Sequence, residues 1–206
     1  MKIIHSGCYI DFEGFAGNEH QSSPPPVLIG ILREGQFRQV VFTKQYRWAA
    51  EESGVDHEVE FCSERAAFLK ELVATVKGST PLFAYSEHER TVIESQVGHR
   101  IPKRYRNVRS IASRWFNKQS DGHPKPETNA LRDVAETLEI PMLRKLKVGG
   151  VTERLRKVSS HCSSEKKWAE APKSIRDAWR EVLEHNRCDV EATFEIMKRL
   201  RSNADR

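Results

Sequence analysis

The sequence predicts an α/β protein in which helices flank a mixed sheet, and three observations carry that prediction. Alternating apolar stretches with a tight turn between two of them fill residues 9–43; a helical run then leads through a further strand into another helix; and the chain closes on a long helix that is apolar along one side. Three strands, helix, strand, helix, further helices and a closing helix is the element order of a mixed α/β sheet.

Composition narrows the class. With 206 residues, 38% apolar and 31% charged, the chain is expected to be one soluble globular domain spanning 1–206 with a compact core and a heavily charged surface. The longest apolar runs, such as Val27-Leu28-Ile29, fall far short of the ~20 residues that cross a bilayer, and no apolar stretch with a cleavage site opens the chain, so no membrane association is expected. Cys8, Cys62, Cys162 and Cys188 are scattered without a Cys-x-x-Cys pair, which excludes a zinc ribbon or disulfide framework and fits reduced cysteines in a cytoplasmic protein. No protein partner is evident. The formal charge of +5 points weakly to a polyanion.

Tyr9-Ile10-Asp11-Phe12-Glu13 alternates with the period of a strand and is ended by Gly14. After the Pro-rich segment Ser22 to Pro26, Val27 to Leu32 reads as a second strand, Glu34-Gly35-Gln36 as a turn and Arg38 to Thr43 as a third strand, together an antiparallel meander. Ser63 to Lys77 has helical apolar spacing, with Gly78 just past its end. Pro81 to Tyr85 is the next strand, and Ser86-Glu87-His88-Glu89 opens a helix to about Gln96, a junction at the carboxyl edge of the sheet where α/β proteins tend to bind ligands. A basic segment follows, partly helical over Ser110 to Lys118, then a loop from Gln119 to Glu127. Leu131, Val134, Ala135, Leu138 and Ile140 mark another helix; Gly149-Gly150 and Ser159 to Ser164 read as breaks in a segment, Leu143 to Pro172, of little clear pattern. Ile175, Trp179, Val182, Leu183, Val190, Phe194, Met197 and Leu200 give the last helix its apolar side.

Candidate functional residues are those in places their chemistry does not favour. Asp11 and Glu13 share one face of a strand with Cα atoms roughly 6.6 Å apart, although Asp is a poor strand former. A solvated edge strand would explain them; if the face is buried, unpaired carboxylates cost several kcal/mol each and a divalent cation is the natural compensation, Mg²⁺ or Mn²⁺ for hard oxygen ligands. Glu89 completes a Ser86-x-x-Glu89 capping box, which alone would account for it, and it also lies where a side chain in the first helical turn reaches the mouth of the sheet; Glu87 competes for that role. His185 and Asp189 are neighbours on one helix face at the margin of the apolar stripe, either a surface pair or the wall of a cleft. Between His99 and Lys118 there is no acidic residue, and Arg100, Lys103, Arg104, Arg106, Arg109 and Arg114 interleave with Tyr105, Trp115 and Phe116. That pattern suits either a phosphate track with stacking rings or a solvated basic face whose rings point into the core.

Taken in order, Tyr-Ile-Asp11-Phe-Glu13-Gly, Ala-Tyr-Ser-Glu-His-Glu89-Arg and Glu-His185-Asn-Arg-Cys-Asp189-Val-Glu-Ala-Thr resemble the three motifs of the DEDD (DnaQ-like) 3′-5′ exonuclease superfamily, most closely its YprB-like ribonuclease-H-like group. The run from Asn129 to Leu138 is similar to the helix those proteins carry between the second and third motifs. The resemblance implies a ribonuclease-H-like sheet of five strands, antiparallel over strands 1–3 and then parallel. It also implies two metal ions, Mg²⁺ or Mn²⁺, held by Asp11, Glu13, Glu89 and Asp189, with His185 as general base, and hydrolysis of phosphodiesters in single-stranded DNA or RNA from a 3′ end. Two ions about 3.5–4 Å apart can stabilise both the attacking and the leaving oxygen of an in-line displacement, and an imidazole with an ordinary pKa near 6.5 suits a base at neutral pH. The third motif here has His three residues before Asp, where the His-type branch has four and the Tyr-type branch has Tyr with three, so His185 falls at a Tyr position; the second ends in Glu89 where the superfamily more often has Asp. Endonuclease action on the same fold and a catalytically silent nucleic-acid-binding module are the competing readings.

Overall fold

In the computed structural model, residues 2–15, 24–53, 59–76, 80–101, 104–119, 124–141, 150–162 and 168–204 are described. A short helix, α1 (Lys2–His5), precedes strand β1 (Cys8–Glu13), which pairs antiparallel with β2 (Leu28–Arg33). β2 turns into β3 (Gln36–Val41) through Glu34 and Gly35, both with positive φ (54° and 79°), the backbone of the tight hairpin turn that matches strand twist. Helix α2 (Arg47–Ser53), edge strand β4 (Val59–Phe61) and helix α3 (Arg65–Thr75) follow. Then come β5 (Leu82–Ala84), α4 (His88–Val97), β6 (Tyr105–Asn107), α5 (Val108–Lys118), α6 (Leu131–Thr137), α7 (Val151–Cys162) and α8 (Lys173–Ala204).

The strand order is β4-β3-β2-β1-β5-β6, with β3/β4, β1/β5 and β5/β6 parallel. Only β2 therefore runs against the others. The five strands β3-β2-β1-β5-β6 form the expected ribonuclease-H-like arrangement; β4, three residues long, is an addition at the β3 edge, too short to stand out in the sequence. β6 is equally short and lies within the basic segment, which masked it.

The strands bury both faces by strict alternation. Cys8, Ile10 and Phe12 of β1, with Ile29, Ile31 and Val40, pack under α3 and α4. The opposite face carries α8, whose 32 residues span about 48 Å. Its N-terminal half (Ile175, Trp179, Val182, Leu183) closes one core with Tyr46, Leu155 and Val158, and its C-terminal half (Val190, Ile196, Met197, Leu200) closes another with Tyr9, Phe83, Val134 and the inner side of α5. Contrary to the sequence expectation, α7 runs unbroken through Ser159 and Ser160, because Leu155 and Val158 anchor it beneath α8 and the Tyr46 hydroxyl donates to the Leu155 carbonyl at 2.9 Å. Among the described residues no helix is long and apolar enough to cross a membrane.

Candidate metal centre

Between the two cores under α8 lies a polar interruption, Glu184 to Asp189, and there the three motifs meet. Alternation along β1 sends Cys8, Ile10 and Phe12 to one core, so Asp11 and Glu13 face α8. Glu89 is brought up by the first turn of α4, beyond the carboxyl end of β5, the parallel neighbour of β1. His185 and Asp189 come from α8 itself, one helical turn apart. Glu89 is buried, and the Glu13 and Asp189 side chains are only 11% and 23% exposed, which removes the solvated edge strand and the surface pair as explanations.

His185 Nε2 is 3.7 Å from Glu13 Oε1 and 3.7 Å from Asp189 Oδ2, and a ligand atom from each of these three residues lies within 4.8 Å of the others. Burial pushes the Asp11 carboxyl well above the usual carboxylate range, and Glu13, Asp189 and Glu89 push it further, against a hydrogen bond from Asn186. Glu13 is raised for the same reason, by burial and then by Asp189 and Glu89. Asp189 is raised by burial and by Glu89, with His185 opposing. Glu89 is raised by burial, against hydrogen bonds from its own backbone and from Ser86. Asp11, Glu13 and Asp189 are thus each made harder to ionise by a neighbouring acid and Glu89 by burial, while among the described residues the ligand atoms that lie together are those of Glu13, His185 and Asp189. The Glu13, His185 and Asp189 group could hold a metal ion, and a divalent cation there would offset the repulsion among the acids.

Glu89 forms the capping box. Its Oε2 accepts from the Ser86 backbone N–H at 3.2 Å and the Ser86 hydroxyl at 2.9 Å, which fixes the carboxylate at the sheet edge while it remains close enough to raise its neighbours. Glu87 is turned outward, accepting from Asn107 Nδ2 at 3.0 Å and pairing with Arg90 at 3.7 Å.

Of the basic segment, Arg100, Arg106, Arg109 and Arg114 are exposed and Arg104 is half-buried; Lys103 lies outside the described residues. Its rings turn inward. Phe116 is buried in the core under α8 with the half-buried Trp115 packed against it, and the half-buried Tyr105 donates its hydroxyl to the Ser86 carbonyl, so the exposed face of the segment carries its cations, Arg100, Arg106, Arg109, Arg114 and Lys118. The Arg109 backbone N–H donates to the Tyr85 carbonyl at 2.9 Å, placing the start of α5 beside the loop that delivers Glu89.

Sequence reasoning did not find Gly30, Gln39 and Asn186. In the sheet register Asp11 pairs with Gly30 and Gly30 with Gln39, a row across three strands whose middle member has no side chain. Asn186 fills that gap: a Cβ on Gly30 would come 2.2 Å from Asn186 Oδ1. A Gly inside an apolar strand is the available signal, since it often marks a close approach. No family model and no curated protein matches the chain.

Proposed function

We propose that this chain is a metal-dependent nuclease, a 3′-5′ exonuclease hydrolysing phosphodiester bonds of single-stranded DNA or RNA. The observation that carries the proposal is the convergence of Asp11, Glu13, Glu89 and Asp189, from three separate parts of the chain, with pKa values all raised by burial and most of them by one another. The 3′ polarity rests on the motif resemblance alone.

Under this reading Asp11, Glu13, Glu89 and Asp189 would hold Mg²⁺ or Mn²⁺ ions, which would supply Lewis-acid stabilisation of charge on the phosphoryl oxygens. His185 Nε2 takes the proton of the attacking water, and the Glu13 and Asp189 carboxylates, each 3.7 Å away, stabilise the imidazolium that results. Ser86 keeps Glu89 at the sheet edge. The exposed Arg100, Arg106, Arg109 and Arg114 would provide phosphate contacts for the nucleic-acid strand.

The test is degradation of 5′-labelled single-stranded DNA and RNA with Mg²⁺, Mn²⁺ or EDTA, using the natural chain, Asp11→Asn and Asp189→Asn. A metal-dependent ladder lost in both variants is expected; cleavage of a circular substrate would replace exonuclease with endonuclease action. Salt-sensitive binding without cleavage, unchanged in both variants, would overturn the enzyme reading.

A further inference from the structure

The row Asp11–Gly30–Gln39 does more than admit α8. Asn186 and Gln39 are both buried polar side chains, 0% and 1% exposed, and neither is an acid or a base. Asn186 Nδ2 donates to the Asp11 backbone carbonyl at 3.1 Å and to Asp11 Oδ2 at 3.0 Å. Gln39 Nε2 donates to Asn186 Oδ1 at 2.9 Å and to the Leu183 backbone carbonyl at 2.9 Å.

The direction of these bonds is fixed at both ends. A backbone carbonyl only accepts, so Leu183 requires Gln39 to present its NH₂ rather than its oxygen. Gln39 then requires Asn186 to present its oxygen, which turns the Asn186 NH₂ onto Asp11, where a second backbone carbonyl demands the same orientation. Neither amide can flip without setting an acceptor against an acceptor in a buried place, and such unmatched groups are costly. The relay therefore holds Asp11 by Oδ2 in one orientation, as an acceptor.

We propose that Asn186 and Gln39 are positioning residues for the metal centre: Gln39 sets the Asn186 amide, and Asn186 pre-orients the Asp11 carboxylate for a cation. Gln39 acts two side chains away from the ligand, through Asn186 alone. The inference rests on the metal-centre reading of the preceding subsection. Outer partners that orient a ligating group typically contribute about 10–100-fold to metal affinity.

The experiment is Mn²⁺ binding without substrate, followed by the loss of the free-ion electron paramagnetic resonance signal. The full chain is compared with Asn186→Leu, Gln39→Met, the double variant, and Val182→Ala, a cavity in the neighbouring core that leaves the relay intact. Asn186→Leu should weaken Mn²⁺ binding by about 10–100-fold, and Gln39→Met should weaken it by less. The double variant should match Asn186→Leu within about twofold, because the relay is already cut. Val182→Ala should lower the melting temperature without moving the Mn²⁺ affinity. Independent, additive losses, wild-type affinity in Asn186→Leu, or an equal loss in Val182→Ala would each overturn the relay and leave the metal centre standing. Failure of the natural chain to take up Mn²⁺ would overturn the metal reading, and the assigned purpose of the relay with it.

Discussion

Replacing Asp189 with Asn should make the metal-free protein more stable, the reverse of what deleting a buried polar contact usually does. Ligand oxygens of Glu13 and Asp189 lie within 4.8 Å. At an effective dielectric of about 20, two unit charges at that separation repel by about 3.5 kcal/mol. Taking up a proton at pH 7 instead costs about 4 kcal/mol for a group whose ordinary pKa is near 4, which caps the strain one carboxylate can hold. Asn keeps the shape and removes the charge, and after loss of the His185 attraction the net relief is about 2 kcal/mol. For a chain of this size that raises Tm by about 4–8 °C in EDTA. Mn²⁺ should reverse the ranking: at about 100 times its Kd a bound ion stabilises by about 2.7 kcal/mol, a gain the natural chain keeps and the variant largely loses. Differential scanning calorimetry near neutral pH, with EDTA and with saturating Mn²⁺, measures both. An Asp189→Asn protein that melts at or below the natural chain in EDTA would refute the claim that Asp189 is repelled by its neighbouring acids in the folded state.

The same electrostatics fixes a pH dependence. All four acids have pKa values raised on folding, so folding binds protons; their contribution is fully present below the ordinary carboxylate range and is lost as pH rises through the raised values. The unfolding free energy in EDTA should rise as the pH is lowered from neutrality toward the ordinary carboxylate range, by up to about 1.4 kcal/mol per pH unit for each proton taken up, and saturating Mn²⁺ should flatten the slope; a stability that falls throughout this range in EDTA counts against it. Gly30→Ala drives a Cβ to 2.2 Å from Asn186 Oδ1 and 3.1 Å from Val190 Cγ2, and should destabilise by about 1–3 kcal/mol in urea melts, whereas a neutral result would show that α8 yields there. Arg109→Ala should weaken binding of single-stranded nucleic acid and reduce the steepness of its logarithmic salt dependence by about 0.7, read by fluorescence anisotropy; an unchanged slope removes Arg109 from the phosphate track.

What the sequence disclosed and what it withheld divide along a physical line. Local periodicity placed β1, β2, β3, β5, α3, α4 and α8 within a few residues, because each buries a face against a continuous neighbour and its pattern repeats often enough to be read. Asp11 and Glu13 were legible because two carboxylates on one strand face are out of place there, whereas Glu89 and Asp189 each had an ordinary local explanation and stood out only through the order of the three motifs. β4 and β6 were not, being three residues each, nor was α7, whose serines read as a break until α8 lies over Leu155 and Val158. Gln39 and Asn186 were invisible for a deeper reason: an amide looks ordinary in any strand or helix, and its meaning comes only from a register across three strands and a partner 147 residues away.

That register also explains why the site lies where it does. A helix about 48 Å long crossing a twisted sheet packs closely only where the side chains beneath it allow, and where α8 approaches Gly30, beside Asp11, its Asn186 and Val190 occupy the space a side chain would fill. The approach excludes bulk water from the acids, which raises their pKa values, and it leaves the buried amide of Asn186 needing partners on both sides. An apolar residue at position 186 would fill the slot and satisfy the core, but it would leave Asp11 without the donor that fixes its orientation. The polar interruption in the apolar stripe of α8 is thus a local loss of hydrophobic burial whose compensation is an acid cluster held in one geometry. Filling it with Asn186→Leu should separate the two roles, since the helix keeps its packing while Mn²⁺ affinity falls.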